Sequence, residues 1–70
     1  MLSEHDVVTV KRDFPDKGLR AGDVGAIVHC YAEKDAYEVE FFDEHGGPRG
    51  VETLEGAELL RLNLISLVGA

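Results

Sequence analysis

An alternation of apolar and acidic side chains near the middle of the chain limits the possible fold more than any other feature. In this segment the odd-numbered positions are apolar, namely Tyr37, Val39 and Phe41. The even-numbered positions between them are acidic, namely Glu38 and Glu40. Successive side chains of a β-strand point to opposite faces, so the pattern predicts a strand with one buried face and one exposed face.

A second β-branched and aromatic run, 24–31, precedes this strand and is separated from it by a short turn at 32–35. Two such runs joined by a short turn are typical of a β-hairpin. Gly25 lies inside the first run. A glycine in a strand predicts either a bulge or a close approach of two backbones.

The rest of the chain alternates between short strand candidates and segments rich in turn formers. The predictions, in chain order, are a strand at 7–10, a long ordered loop at 14–23, a strand at 49–54, a tight 3₁₀-like turn at 55–57 and a last strand at 58–62. In the loop, Phe14 and Leu19 are expected to point inward. Five short strands with frequent turns predict an all-β protein, either a small barrel or a sandwich.

The 70 residues are enough for one domain, covering 1–70. A domain of this size buries only about 60% of its unfolded surface and usually needs reinforcement by a disulfide, a metal or another chain. Cys30 is the single cysteine, which excludes an internal disulfide and fits a reducing compartment. The sequence shows neither a signal-peptide pattern nor the ~20 apolar residues of a membrane span, so we expect a cytoplasmic protein without membrane contact.

The chain is strongly acidic, with 14 Asp and Glu against seven Lys and Arg and a formal net charge of −7. Nucleic-acid affinity depends on cations that displace phosphate counterions. The densest basic groupings are only Lys11 with Arg12 and Lys17 with Arg20. We therefore expect no nucleic-acid binding. The acidity serves either solubility or recognition of a basic protein partner.

The groups capable of catalysis or metal binding are few and poorly spaced. They are His5, His29, Cys30, Asp43, Glu44 and His45. No Cys-x-x-Cys pair occurs, and His29 and Cys30 are neighbours on a predicted strand, so they face opposite sides. Glu38 and Glu40 lie about 7 Å apart along their strand but need an enclosed cleft for acid–base catalysis. We expect no enzyme activity, no metal and no cofactor.

Three segments of the chain form a recognisable set of motifs. They are Leu19-x-x-Gly22-Asp23-Val24-Gly25-Ala26-Ile27-Val28-His29, then Ala36-Tyr37-Glu38-Val39-Glu40-Phe41, then Thr53-Leu54. Together these motifs resemble one family of small bacterial proteins, the domain-of-unknown-function family 4926. The resemblance covers roughly residues 6–62. The chain differs at Ala26, where the family often has Thr, and in its apolar C-terminal tail. The order of these motifs is also similar to that of other SH3-like barrels, including KOW-type modules.

This resemblance implies an SH3-like barrel of about five short antiparallel strands with a long first loop. In this fold Gly22, Asp23 and Gly25 would define the turn into the second strand. The family brings no established activity. The absence of a catalytic or cationic constellation in the sequence favours a protein-interaction module, and the resemblance suggests an antitoxin, an immunity-type protein or an accessory subunit. The alternative is a nucleic-acid-binding barrel of the KOW type, which the charge disfavours.

The most promising partner-binding surface combines aromatic and acidic side chains. If Phe41 belongs to the core, Phe42 shares the opposite face with Glu38 and Glu40, and we expect Tyr31 to lie near it. Aromatic groups beside carboxylates suit a basic or proline-rich segment. The alternative interpretation is that Phe42 only covers the end of the barrel.

The last eight residues, 63–70, form an apolar and uncharged tail. An exposed apolar tail is prone to association, so we expect it to pack against a surface. It could extend the last strand over its own domain. It could also form a homodimer or partner contact by strand addition, which would reinforce the small core.

Deletion of residues 63–70 should therefore lower the melting temperature or change the oligomeric state, because either role removes apolar surface from water. Thermal unfolding and size-exclusion chromatography with light scattering measure the two effects. An unchanged mass together with an unchanged melting temperature would show that the tail is a passive terminus.

Overall fold

The computed structural model describes residues 2–62, which form five strands and two short 3₁₀ helices. The strands are β1 (Val7–Val10), β2 (Val24–Tyr31), β3 (Ala36–Phe42), β4 (Pro48–Glu55) and β5 (Leu59–Arg61). The 3₁₀ helices cover Pro15–Lys17 and Gly56–Glu58. The tail at 63–70, with its predicted strand extension or oligomer contact, lies outside the described residues.

All five strands join one antiparallel sheet in the order β4-β3-β2-β1-β5. β2, β3 and β4 follow one another as hairpins, while β1 pairs with both β2 and β5. No α-helix occurs between residues 2 and 62. The prediction of an all-β fold with five short antiparallel strands is confirmed, whereas the SH3-like classification stays a prediction. β4 is longer than predicted, and β5 is limited to Leu59–Arg61.

The alternation that predicts β3 is the pattern that the structure shows. Tyr37, Val39 and Phe41 are buried, while Glu38 and Glu40 are only partly covered on the opposite face. The predicted turn at 32–35 joins β2 to β3. The hairpin contains one irregularity that the sequence does not indicate. Its register shifts between Ile27 and His29, so that Val28 is an extra residue without a direct partner on β3.

One face of the sheet encloses a continuous apolar core with side chains from every strand and from the first loop. Its members are Val8, Val10, Phe14, Leu19, Ile27, Tyr37, Val39, Phe41, Leu54 and Leu59. Leu2 and Cys30 pack against this cluster. The domain therefore has a single core, and the opposite face of the sheet is available for other contacts.

The loop between β1 and β2 is ordered by its own backbone pairing, as the sequence predicts. Phe14 N–H donates to the Leu19 carbonyl at 2.9 Å, and Leu19 N–H donates back to the Phe14 carbonyl at 3.1 Å. Both side chains point into the core. The Arg12 guanidinium lies 3.9 Å from the centroid of the Phe14 ring, a distance typical of a cation–π contact. The turn of 3₁₀ helix at Pro15–Lys17 was not expected.

Gly25 allows β2 and β3 to approach each other closely. A Cβ atom added at this position would lie 2.6 Å from the Glu40 carbonyl oxygen and 2.8 Å from Val39 Cγ1. Both distances are shorter than van der Waals contact, and a backbone oxygen cannot move aside. Of the two predicted reasons for this glycine, the close approach is therefore correct, and the bulge occurs at Val28 instead.

Replacing Gly25 with Ala should destabilise the domain by about 2 kcal/mol or more, because overpacking a closely paired strand forces the backbone to shift. Gly47→Ala is the matched control. There the added Cβ would meet only the Asp43 side chain, at 3.2 Å, in an exposed turn. Urea unfolding of both variants measures the difference. Equal stability of the two variants would contradict the close-approach explanation.

Candidate binding surface

The side of β2, β3 and β4 that faces away from the core carries most of the candidate residues, and we call it the outer face. Strand alternation and register place on it Val24, Ala26, His29, Tyr31, Glu38, Glu40, Phe42, Val51 and Thr53. The four residues predicted to bind a partner, Tyr31, Glu38, Glu40 and Phe42, are all among them.

At one end of the outer face, two aromatic side chains of β2 lie beside the Glu38 carboxylate. His29 pairs directly with Glu38 across the β2–β3 hairpin, and its ring contacts Tyr31 edge-to-face with the centroids 4.7 Å apart. Thr53 Oγ1 donates a hydrogen bond to Glu38 Oε1 from the other neighbouring strand. Partial burial and the adjacent Glu38 carboxylate raise the pKa of the Tyr31 hydroxyl. Glu38 is thus held in place by neighbours on both sides.

In the middle of the outer face, Glu40 lies between two small or apolar residues. It pairs with Ala26 of β2 and with Val51 of β4. Val51 is 49% exposed although it is apolar. A carboxylate beside exposed apolar surface offers a partner both a charge to pair with and an apolar area that loses its water on binding.

At the far end of the outer face, Phe42 and Val24 are exposed beside a groove of about 590 Å³. The groove lies between the first loop and the turn that joins β3 to β4. Its lining includes Gly22, Asp23, Val24, Phe42, Glu44 and Arg49. Because Phe42 is 36% exposed, its ring covers the end of the sheet only in part, and a substantial area remains available.

The outer face brings the four predicted residues onto one surface but not into one cluster. Tyr31 pairs with Ala36 at the start of β3, whereas Phe42 ends the same strand. Six residues of extended chain separate these positions by roughly 20 Å. The expectation that Phe42 lies near Tyr31 is therefore wrong. Two aromatic ends flank two central carboxylates instead.

The predicted turn into β2 is built around the Asp23 carboxylate. Asp23 Oδ2 accepts a hydrogen bond from Arg20 N–H at 3.0 Å, and Arg49 Nη1 lies 3.1 Å from the same oxygen. Gly22 adopts a φ of +94°, a conformation that glycine tolerates best. The Asp23 carboxylate thus accepts a hydrogen bond from a loop amide and stabilises the turn.

Arg49 is the residue in this region that sequence reasoning missed. It is the extra residue of a register shift on β4, where Phe41 pairs with Gly50 and Phe42 with Pro48. Its guanidinium reaches the first loop, donating to the Gly18 carbonyl at 2.5 Å as well as to Asp23. The arginine therefore fastens the loop to β4. An isolated Arg in a turn-rich segment gave no sign of this contact.

The other groups considered for catalysis or metal binding either organise local structure or do not gather into a cluster. Asp43 Oδ1 accepts hydrogen bonds from the N–H groups of His45 and Gly47 and so organises the β3–β4 turn. Cys30 is partly buried against the core. Between residues 2 and 62, no group of three or more His, Cys, Asp or Glu side chains is arranged to hold a metal ion. In the same part of the chain, no helix is long and apolar enough to cross a membrane.

The fold and the outer face together define a small all-β protein that exposes an acidic and aromatic sheet surface. Residues 4–61 match the family described as Domain of unknown function (DUF4926). Because the match spans most of the chain, the chain belongs to this family, and the resemblance of its motifs is confirmed. No curated protein and no solved structure matches the sequence.

The stabilising effect of Asp23 should depend on pH. The Arg20 N–H lowers the pKa of this carboxyl below 3.8, and Arg49 acts in the same direction against the opposing effect of partial burial. A carboxyl whose pKa is lower in the folded state stabilises the protein above its unfolded pKa, and this stabilisation is lost as the pH falls through the folded pKa. Asp23→Asn should therefore lower the melting temperature at pH 7, with a smaller difference below pH 3.8.

Asp16→Asn provides the control, because Asp16 is an exposed carboxylate of the same loop. Its melting temperature should follow that of the unmodified protein at every pH. A difference for Asp23→Asn that stays constant from pH 7 to pH 3 would show that the carboxylate charge is not the source of the effect. Differential scanning calorimetry at several pH values provides the comparison.

Proposed function

We propose that this protein is a non-catalytic interaction module that binds a basic protein partner through the outer face. One observation carries the proposal. The strand positions of this face combine exposed apolar and aromatic side chains with Glu38 and Glu40 but include no lysine or arginine. Such a surface lacks its own compensating charge and is complementary to cations placed beside apolar groups.

The distribution of ion pairs supports the same proposal. The cations Arg12, Lys17, Arg49 and Arg61 pair with carboxylates in loops, edge strands or the segment before β1. Among residues 2–62, none of the lysines and arginines is within ion-pairing distance of Glu38 or Glu40. The internal ion pairs therefore leave the outer face negative.

The apolar residues of the face supply the second component of a binding surface. Val24, Tyr31, Phe42 and Val51 are all at least 36% exposed. Aromatic and apolar side chains that lose water on binding provide most of the energy in protein interfaces, whereas charges mainly direct the partner and set specificity. We also propose a cytoplasmic location, since the lone thiol of Cys30 suits a reducing compartment.

A comparison of bait proteins tests the proposal. The triple variant E38Q/E40Q/F42A removes two charges and one ring from the outer face. The control variant E4Q/D16N removes two exposed charges elsewhere. We expect quantitative affinity purification from the source organism to show basic proteins that bind the unmodified bait and the control but are lost from the triple variant by at least tenfold.

Circular dichroism and melting curves must first show that the triple variant folds, which is expected because none of its three positions belongs to the buried core. If no protein distinguishes the triple variant from the control, the outer face is not an interaction surface. Direct binding to duplex DNA or single-stranded RNA that weakens steeply with salt would instead establish the nucleic-acid-binding alternative.

A further inference from the structure

The carboxylates of the outer face form a row with the spacing of an extended chain. Phe42, Glu40 and Glu38 are alternate residues of β3, so their side chains follow one another about 7 Å apart on the same side of the sheet. An extended polypeptide has the same repeat between its own alternate side chains. A partner strand that runs along β3 can therefore place one side chain opposite each of these three residues.

At the positions that pair with Glu40 and Glu38, the neighbouring strands carry no lysine or arginine. Glu40 is flanked by Ala26 and Val51, and Glu38 is flanked by His29 and Thr53. Both glutamates are partly covered by these neighbours. A partly desolvated carboxylate gains more from an incoming cation than a fully hydrated one does, because less water must be displaced.

On these grounds, and building on the proposed function, we propose that the outer face binds an extended basic segment. This segment carries an apolar residue followed by Lys or Arg two and four positions later. The apolar residue contacts Phe42 and Val24, and the two cations pair with Glu40 and Glu38. The order of the three groups on β3 sets both the spacing and the direction of the bound segment.

The alternation of the bound segment distinguishes this proposal from general attraction to positive charge. Cations at adjacent positions of an extended chain point to opposite sides, so only one of them could reach the row. Cations two positions apart point to the same side, and both can pair. A peptide of identical composition but different order should therefore bind more weakly.

Two blocked peptides provide the test, Trp-Thr-Lys-Thr-Lys-Thr and its isomer Trp-Thr-Thr-Lys-Lys-Thr. NMR titration of the isotope-labelled full chain measures the affinity and locates the site. We expect the first peptide to bind at least threefold more tightly and to shift the amide signals of Glu38, Glu40 and Phe42. E38Q/E40Q should weaken its binding roughly five- to tenfold, since an ion pair at the protein surface contributes up to about fivefold in affinity and these two carboxylates are only partly covered. The control E4Q/D16N should leave its affinity nearly unchanged.

The other outcomes separate this inference from the proposed function. If both peptides bind equally and still shift the outer face, the surface recognises charge without the extended spacing, and only this inference fails. Peptide shifts that lie elsewhere, or an absence of shifts, also overturn it. The bait comparison then decides independently whether the outer face binds a partner of different shape.

Discussion

The pairing of β2 with β3 is the interaction on which the rest of the structure depends. It brings Ile27 opposite Val39, and both side chains are completely buried. The register of the same hairpin determines which side chains lie on each face of the sheet. When one residue points into the core, its two neighbours in the strand point to the outer face. A slip of one position would bury Glu38 and Glu40 and expose Val39 and Phe41. The close approach at Gly25 helps to hold the correct register.

Local patterns were sufficient to predict much of this architecture. The alternation around Val39 predicts which side chains form the core. One set of alternate residues is apolar and the other is acidic, so only the apolar face of the strand can be buried. The inward direction of Phe14 and Leu19 was also predictable, because they are the large apolar residues of an otherwise polar loop. The same alternation predicts the candidate surface, because Glu38, Glu40 and Phe42 lie on the strand face opposite to the core residues.

Irregular pairing and long-range contacts could not be predicted in this way. Val28 and Arg49 are extra residues because the paired strands shift in register at these positions. Such a shift depends on both strands together, so the sequence of one strand does not predict it. The distance between Tyr31 and Phe42 could be predicted only from the register of the β2–β3 hairpin. This register places the two residues at opposite ends of the outer face. The contact of Arg49 with the first loop joins residues that are distant in sequence, so neither segment indicates it alone.

The attachment of the first loop by Arg49 has a consequence for the order of folding. Arg49 and Gly18 are 31 positions apart, whereas β2 and β3 are joined by a short turn. Closing a long loop costs more chain entropy than closing a hairpin, so the hairpins should form first and the loop should dock late. Contacts made after the transition state affect mainly the unfolding rate. The arginine therefore acts mainly as a brake on unfolding and contributes little to the folding rate.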